Sequence, residues 1–345
     1  MANHLKMFCY ALGVTIIATL FPFRLKFENK TMDRPKPKET ADNSNEDSNK
    51  YADIVLKIDI KEPEPDSPLM SWAERHINEN PDTKLQLVEE LRNMIFEKGE
   101  CEPYRTDDEF LLRFLRARHF IVRMAHRLFV NYHTYRESNP NFFFNIDYGR
   151  MLEVVEADIF NVPPYLDEHG RRMLFWKIGN WNPTQFTTDQ LFQTIIFLIQ
   201  ASTLEPKHQI LGGVCIMDVE NLGSNQVWYL SPSITKHMIS VAYSSLPHRI
   251  EALHIVNVSK VFDYAFAMLK PLLSDLMKDR IFIHQNLESL HQHVSPKCLP
   301  KKYGGIHKDT YSFTDYLSVV RANEEFIDEM ESFGYEGSRE FIEKL

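Results

Sequence analysis

The residues best suited to metal chemistry lie near the end of the chain. His284, His291 and His293 stand close together, with Glu288 between them. Glu288 and His291 are three residues apart, so on a helix both could face one metal ion. No HExxH pattern and no pair of closely spaced cysteines accompanies them. The sequence therefore predicts no metal site here, and we expect His291 and His293 to lie in a loop.

Two carboxylates, Asp218 and Glu220, follow a predicted buried strand, where enzymes with α/β folds often keep catalytic groups. The common signatures of hydrolase, nucleotide and hydride chemistry are absent, because the sequence holds no G-x-S-x-G, P-loop or dinucleotide fingerprint. We therefore expect no catalysis and no cofactor.

The overall composition excludes further classes of protein. A net charge of -9 argues against broad nucleic-acid binding, which needs a basic surface. Only 12 glycines but 24 phenylalanines favour a large aromatic interior over phosphate-binding loops. The four cysteines are far apart and form no disulfide framework, so a reducing compartment is expected.

The stretch Leu246–His284 organises the second half of the chain. It predicts a buried strand (Ala252–Asn257), a long amphipathic helix and another short strand (Ile281–His284). Pro271 lies within the helical pattern and should kink or split it. A broad apolar face with a hinge suits a movable cover, although the helical pattern alone favours a helix packed permanently on a sheet. This face is formed by Val261, Phe262, Ala265, Phe266, Met268, Leu269, Leu272, Leu273 and Leu276.

Two kinds of segment precede this stretch. Leu69–Pro140 predicts a small all-helical unit with a capping box at Thr106–Glu109, and its arginines, Arg113, Arg116 and Arg118, are expected on a solvated face. From Gly149 onwards strands alternate with helices, which indicates a largely parallel sheet.

The N-terminal end is of a different kind. Residues 1–30 contain an apolar run of 17 residues, Met7–Phe23, at the lower length limit for a membrane span. It is a short anchor, an uncleaved signal, or an extension upstream of an alternative start at Met32. Residues 31–68 are polar and proline-rich, which predicts a disordered linker.

Several short motifs, taken in order, resemble the CRAL-TRIO family of lipid-binding proteins. The match begins in the helical unit and continues through the α/β part, from about Leu69 to about Ile306. The motifs are Asp108–Arg118 (DEFLLRFLRAR), Gly170–Leu174 (GRRML), Ile216–Glu220 (IMDVE), Leu246-Pro247, His254–Asn257 (HIVN), Lys270-Pro271 and Leu299–Gly305 (LPKKYGG). They look most like the branch that contains α-tocopherol transfer protein and cellular retinaldehyde-binding protein.

The resemblance implies a fold and a division into domains. An all-helical CRAL-TRIO N-terminal domain would span residues 69–145. An α/β lipid-binding domain, with a mostly parallel sheet flanked by helices, would span residues 146–310. A helical tail would complete the chain over residues 311–345.

The resemblance also implies a function: a non-enzymatic carrier that holds one small hydrophobic lipid, tocopherol- or retinoid-like, and transfers it to membranes. A mobile gate helix, about Val261–Leu273, would cover the lipid. Expected pocket residues are Phe192, Ile195, Ile199, Met217, Ile255, Phe262, Phe266 and Leu269.

A basic patch near the gate would bind phosphoinositide headgroups in this branch. Arg249, Lys278 and Arg280 supply basic residues there, whereas Glu251 and Leu276 replace two further basic positions. The expected partners are thus a hydrophobic lipid and a phosphoinositide-containing membrane, with no nucleic acid. The alternative is a scaffold that reads phosphoinositides without carrying cargo. The expected location is cytoplasmic and peripheral to membranes, or membrane-anchored through residues 7–23.

Overall fold

The computed structural model describes residues 59–311, apart from Asn145 and Leu230, together with residues 328–330. The apolar run Met7–Phe23 and most of the expected linker and tail lie outside the described residues. Within the described part of the chain, no helix is long and apolar enough to cross a bilayer. The expected domain boundaries stay a prediction.

The N-terminal part is helical, as the apolar spacing predicts. Gly99 ends its second helix in the left-handed conformation that glycine adopts without strain. The third helix is capped by Asp107, whose side chain accepts from Phe110 N, so the capping box predicted at Thr106 was one residue off. The four helices are α1 (Pro68–Ile77), α2 (Pro81–Lys98), α3 (Asp108–Ala117) and α4 (Val122–Ser138).

The sheet holds five strands within the described residues, in the order β1 to β5. The short edge strand β1 runs antiparallel to β2, and all other pairs are parallel, which confirms the predicted largely parallel sheet. Arg172 pairs with Gly213, which pairs with Ile250, so three parallel strands begin at one edge. The strands are β1 (Phe160–Asn161), β2 (Arg172–Lys177), β3 (Gly213–Asp218), β4 (Ile250–Val256) and β5 (Ile281–Ile283).

Helices precede, connect and follow these strands. They are α5 (Tyr148–Glu156), α6 (Thr188–Ser202), α7 (Pro206–Leu211), α8 (Ser224–Val227), α9 (Pro232–Ile239), α10 (Lys260–Leu269), α11 (Asp275–Lys278) and α12 (Leu287–His291). The chain therefore adopts the expected α/β architecture behind a small helical unit.

Arg116 joins the helical unit to the α/β part. Its side chain is fully buried, forms an ion pair with Glu79 at 2.7 Å and one with Glu62 at 2.8 Å, and donates to Gln209 of α7. The expectation of a solvated arginine face was therefore wrong for Arg116, and it was wrong for Arg113, which is only 4% exposed. Residue spacing did not reveal this, because Glu62 is far away in sequence, within the expected linker.

The predicted gate helix begins at Ser259, whose hydroxyl caps α10 by accepting from Phe262 N. The α-helix ends at Leu269 and continues as a 3₁₀ turn over Lys270–Leu272, with Pro271 inside it. Pro271 cannot donate a backbone hydrogen bond, so the regular helix stops before it. The interruption expected at Pro271 is confirmed.

Candidate ligand-binding cavity

A cavity of about 320 Å³ lies in the α/β part. Its walls come from strands β2, β3 and β4 and from helices α6, α9 and α10. The volume falls within the range of roughly 300–1,000 Å³ that is common for small-molecule sites. Most of the lining side chains are aliphatic or aromatic, so the cavity favours an apolar ligand.

All eight residues that the sequence nominated for a pocket line this cavity. They are Phe192, Ile195 and Ile199 of α6, Met217 of β3, Ile255 of β4, and Phe262, Phe266 and Leu269 of α10. Their contact with a lipid stays a prediction, whereas their position around one cavity is a property of the structure.

Helix α6 presents one apolar face to the cavity and another to the helical core. It starts with a complete capping box, in which Thr187 Oγ1 accepts from Gln190 N and Gln190 Oε1 accepts from Thr187 N. Ile195 and Ile199 lie one helical turn apart on the cavity side, while Ile196 is fully buried in the main core. A helix that is apolar on two sides can therefore serve as the wall of an internal cavity.

Helix α10 covers the cavity with Phe262, Ala265 and Phe266, which are all buried. The Phe262 and Phe266 rings stack with their centroids 5.5 Å apart. Met268 and Leu272, which the helical wheel grouped with these residues, instead face outwards and are each 53% exposed. The predicted single broad face was therefore wrong, because the helix is apolar on an inner and an outer side.

The outer side of α10 belongs to a larger exposed apolar area, which we call the outer gate surface. Helix α8 contacts α10, and two exposed aromatic residues follow α8 directly in the chain. Exposed apolar area of this kind is typical of surfaces that contact a partner or a membrane. The outer gate surface consists of Trp228, Tyr229, Tyr264, Met268, Leu272 and Leu276.

Polar side chains line the cavity near the edge where β2, β3 and β4 begin. Arg172, the first residue of β2, pairs with Glu205 through two hydrogen bonds of 2.9 and 2.8 Å. His208 Nε2 lies 3.2 Å from Ser202 Oγ. The Ser202 hydroxyl donates to the Ile199 carbonyl, so His208 does not activate it as a nucleophile.

His208 and His248 are held in the neutral form. Burial, together with the nearby His248, Arg172 and Arg249, lowers the pKa of His208 to about 3. Burial and the charge of Arg118 lower the pKa of His248 to about 4. Both rings are therefore neutral across the physiological range.

Three arginines, Arg118, Arg249 and Arg280, lie close to one another with Glu251 among them; we call them the arginine cluster. Arg249 forms an ion pair with Glu251, and Arg280 Nη1 lies 3.8 Å from the same carboxylate. Burial and the charges of Arg280 and Arg249 lower the pKa of Arg118. Burial opposes ionisation of Glu251, but the charges of Arg249 and Arg280 outweigh it and keep the pKa of Glu251 below its ordinary value.

The three residues nominated for headgroup binding differ in access. The Arg249 side chain is only 4% exposed and also donates to the backbone carbonyls of Arg116 and Ile210. Arg280 is partly exposed, and Lys278 is 39% exposed and paired with Asp275. In this conformation Arg280 and Lys278 present positive charge at the surface, whereas the charge of Arg249 lies buried below the surface.

The other residues considered for chemistry are held in structural contacts. Asp218 accepts from Asn257 and Tyr303 and pairs with Lys302 at 2.7 Å. His284 Nε2 contacts His254 Nδ1 at 2.9 Å. Among the described residues, no group of three or more histidine, cysteine or acidic side chains could hold a metal ion.

Comparison with known proteins identifies the family. Residues 156–305 match the family model of the CRAL/TRIO domain, and residues 64–131 match that of the CRAL/TRIO N-terminal domain. The chain belongs to the CRAL-TRIO family. The confirmed resemblance accounts for the order of the motifs and for the α/β domain behind a helical one.

Two groups of CRAL-TRIO relatives are similar over most of the chain. Alpha-tocopherol transfer protein-like from Mus musculus is 31% identical and covers 77% of this chain and 81% of its own. Clavesin-2 from Homo sapiens is 33% identical and covers 68% of this chain and 72% of its own. Clavesin-1 from Xenopus laevis is 34% identical, with 66% and 70% covered.

Sequence reasoning missed four residues that the CRAL-TRIO fold brings to these sites: Arg118, Glu205, His208 and His248. Arg118 was assigned to a solvated face, but its guanidinium donates to the Tyr243 carbonyl of the α/β part. Glu205 caps, and His208 lies within, a short helix that the apolar pattern did not predict. The one feature of the sequence that could have indicated Glu205 and His208 is that they are polar residues shortly before a buried strand.

Proposed function

We propose that the protein is a non-enzymatic carrier that binds one small hydrophobic lipid and transfers it to membranes. The observation that supports this most strongly is the cavity of about 320 Å³ beneath α10, with its mainly apolar walls. An internal apolar cavity of this size costs stability unless a ligand fills it, because its lining lacks contacts on one side.

Burial of an apolar ligand is enough to hold it without catalysis. A prenyl-chain-sized lipid hides on the order of 400 Å² of apolar surface, which contributes about 10 kcal/mol before the costs of association. Names among the relatives point to tocopherol as a ligand of the family. We propose a tocopherol- or retinoid-like lipid for this chain.

Release then requires α10 to move, because Phe262 and Phe266 close the cavity. Exposing these rings to water is costly, whereas exposing them to a bilayer is not. The outer gate surface would enter the membrane first, so the gate would open where its inner face can enter lipid. This sequence of events couples unloading to membrane contact.

The arginine cluster would guide the protein to phosphoinositide-containing membranes. Arg249 and Arg280 share the Glu251 carboxylate, and Arg118 lies close to both, so a phosphate group placed beside these guanidinium groups would gain charge-assisted hydrogen bonds. Lys278 adds charge at the surface. Glu251 competes with phosphate for Arg249 and Arg280, which would keep this attraction moderate.

We propose a cytoplasmic protein that binds membranes peripherally. The widely spaced cysteines fit a reducing compartment, and the outer gate surface fits transient membrane contact. Anchorage through residues 7–23 is the alternative, and fractionation of cells that express the chain with and without residues 1–31 distinguishes the two.

A scaffold that reads phosphoinositides without carrying cargo is the competing function, and the arginine cluster is the observation that favours it. A transfer assay separates them. Donor vesicles contain retinol or α-tocopherol, and acceptor vesicles contain phosphatidylinositol bisphosphate. The full chain is added in a much smaller molar amount than the lipid to be transferred. A carrier speeds appearance of the lipid in the acceptor vesicles, whereas a scaffold binds the acceptor vesicles without changing that rate.

A further inference from the structure

His208 and His248 are two buried histidines that no role in apolar packing explains. Both line the cavity, and their exposure is 9% and 6%. Nδ1 of His208 and both ring nitrogens of His248 make no hydrogen bond in the part of the chain that the structure describes. The Leu246 carbonyl opposes the fall in the pKa of His248 but does not meet hydrogen-bond geometry with either nitrogen.

The contacts of Ser202 decide which His208 nitrogen carries the proton. The Ser202 hydroxyl donates its single proton to the Ile199 carbonyl at 2.7 Å. The contact of 3.2 Å between Ser202 Oγ and His208 Nε2 must therefore take its proton from the histidine. A neutral His208 with its proton on Nε2 has a bare lone pair on Nδ1, so it offers an acceptor.

The fold keeps this acceptor in place. A Cβ atom at Gly213 would lie 2.9 Å from Cε1 of His208, so only glycine at this position leaves room for the ring. His248, being neutral, carries one N–H donor and one lone-pair acceptor. Together the two rings offer acceptors and one donor, which is the set that a hydroxyl group matches by donating once and accepting once.

The neighbouring charges disfavour other polar groups. Arg172 is occupied by Glu205, and Arg249 by Glu251 and two carbonyls, so a carboxylate would find no free cation among the described residues that line the cavity. A protonated amine would be repelled by the positive charges of Arg172 and Arg249. An ether or ester can only accept, so it would leave Nδ1 of His208 without a donor.

The position of the two histidines sets the direction of the ligand. His208, His248 and Arg172 lie at the edge where the parallel strands begin, whereas α10 starts after the far end of β4. Six-residue strands such as β2 and β3 span about 20 Å, which is the length of an extended lipid tail.

We propose that His208 and His248 bind the single hydroxyl group of an alcohol or phenol lipid, whose apolar body lies along the strands towards the gate. This inference rests on the proposed carrier function and adds the chemical class of its ligand.

The test is a competition between matched lipids. The full chain is offered equal amounts of retinol and retinyl methyl ether, and in a second experiment α-tocopherol and its methyl ether. Native mass spectrometry then gives the ratio of bound alcohol to bound ether. Two pairs are used so that the shape of one lipid does not decide the result. Wild type should prefer the alcohol in at least one pair by about 10- to 100-fold.

Variants assign that preference to the two rings. His208→Leu and His248→Leu should each bring the ratio close to one, whereas His208→Asn, which keeps an acceptor near Nδ1, should retain a clear preference for the alcohol. His126→Leu, which makes the same change at a buried histidine of α4 that does not line the cavity, is the matched control and should leave the ratio unchanged. Because the ratio is read only from loaded protein, a variant that folds poorly does not distort it, and either leucine variant suffices.

Different outcomes would overturn the hydroxyl site and the carrier function. Equal binding of alcohol and ether by wild type, or a ratio that both leucine variants leave unchanged, overturns the hydroxyl site while the carrier function stands. If no lipid of either pair enters and the purified chain holds none, the carrier function falls, and the inference falls with it.

Discussion

The two sides of helix α10 differ in what they contact rather than in polarity. On the inner side, Phe262 and Phe266 are buried against the cavity, whereas on the outer side Tyr264 and Met268 are more than half exposed. A helix packed permanently on a sheet needs only one apolar side, and its other side is normally polar. A second apolar side is what the proposed gate would need to meet a membrane, and a core helix has no need of it.

The largest expected effect follows from a charge on the inner side. Phe266→Asp would place a carboxylate in an apolar cavity, where an unpaired charge costs several kcal/mol. We expect lipid loading to be abolished, measured as bound lipid per chain after extraction. Tyr264→Asp, two residues away on the outer side, is the matched control and should load normally. Both variants should keep the far-UV circular dichroism of wild type, and normal loading of Phe266→Asp would show that the gate is assigned to the wrong face.

A smaller effect is expected on the outer side. Met268→Asp combined with Leu272→Asp should leave loading unchanged but weaken binding to vesicles by at least about tenfold. Each of these side chains contributes about 1.5–3 kcal/mol when fully buried in lipid, and tenfold corresponds to about 1.4 kcal/mol. Vesicle flotation measures the change. If binding is unaltered, the outer gate surface does not meet the membrane.

Charge changes in the arginine cluster should act in opposite directions. Arg280→Glu should weaken binding to vesicles that contain phosphatidylinositol bisphosphate by several-fold, since each basic residue near such a surface contributes about 1 kcal/mol. Glu251→Gln removes the carboxylate that pairs with Arg249 and Arg280, so it should strengthen binding. Neutral vesicles are the control and should show neither change. Equal responses of the two variants would remove the cluster from headgroup recognition.

Acid should destabilise the fold through the buried histidines. The pKa values of His208 and His248 are about 3 and about 4, below the ordinary 6.5. Between these values the two histidines are protonated in the unfolded chain but neutral in the folded chain. Their contribution is complete above pH 6.5 and is lost as the pH falls towards 4, by up to about 1.4 kcal/mol per pH unit for each proton. Chemical denaturation at pH 7.5, 6 and 5 measures this trend. In His248→Leu the slope should be shallower, and an identical slope would mean that His248 is not buried in the neutral form.

Particular elements show how much of the fold and of the cavity could be predicted from the sequence. Pro271 and the spacing of apolar residues predicted the interrupted helix α10, and motif order predicted the CRAL-TRIO architecture. The wheel could not separate Phe266 from Met268, because both are apolar and only the neighbouring elements decide which side is covered. His208 escaped notice for a related reason: its role depends on Ser202, His248 and Gly213, which three different elements bring together.

The burial of Arg116 was also beyond local patterns. An arginine on an amphipathic helix is normally solvated, and only the approach of Glu79, Glu62 and Gln209 makes its burial favourable. Contacts between residues far apart in sequence thus determine both the junction between the helical unit and the α/β part and the polar end of the cavity.

The most direct measurement is native mass spectrometry of the purified full chain, followed by solvent extraction of what it holds. The account predicts one lipid per chain, lost in Phe266→Asp and retained in Tyr264→Asp. A chain that carries no lipid, and that takes up none from vesicles containing retinol or α-tocopherol, would contradict the claim that α10 closes a lipid-carrying cavity.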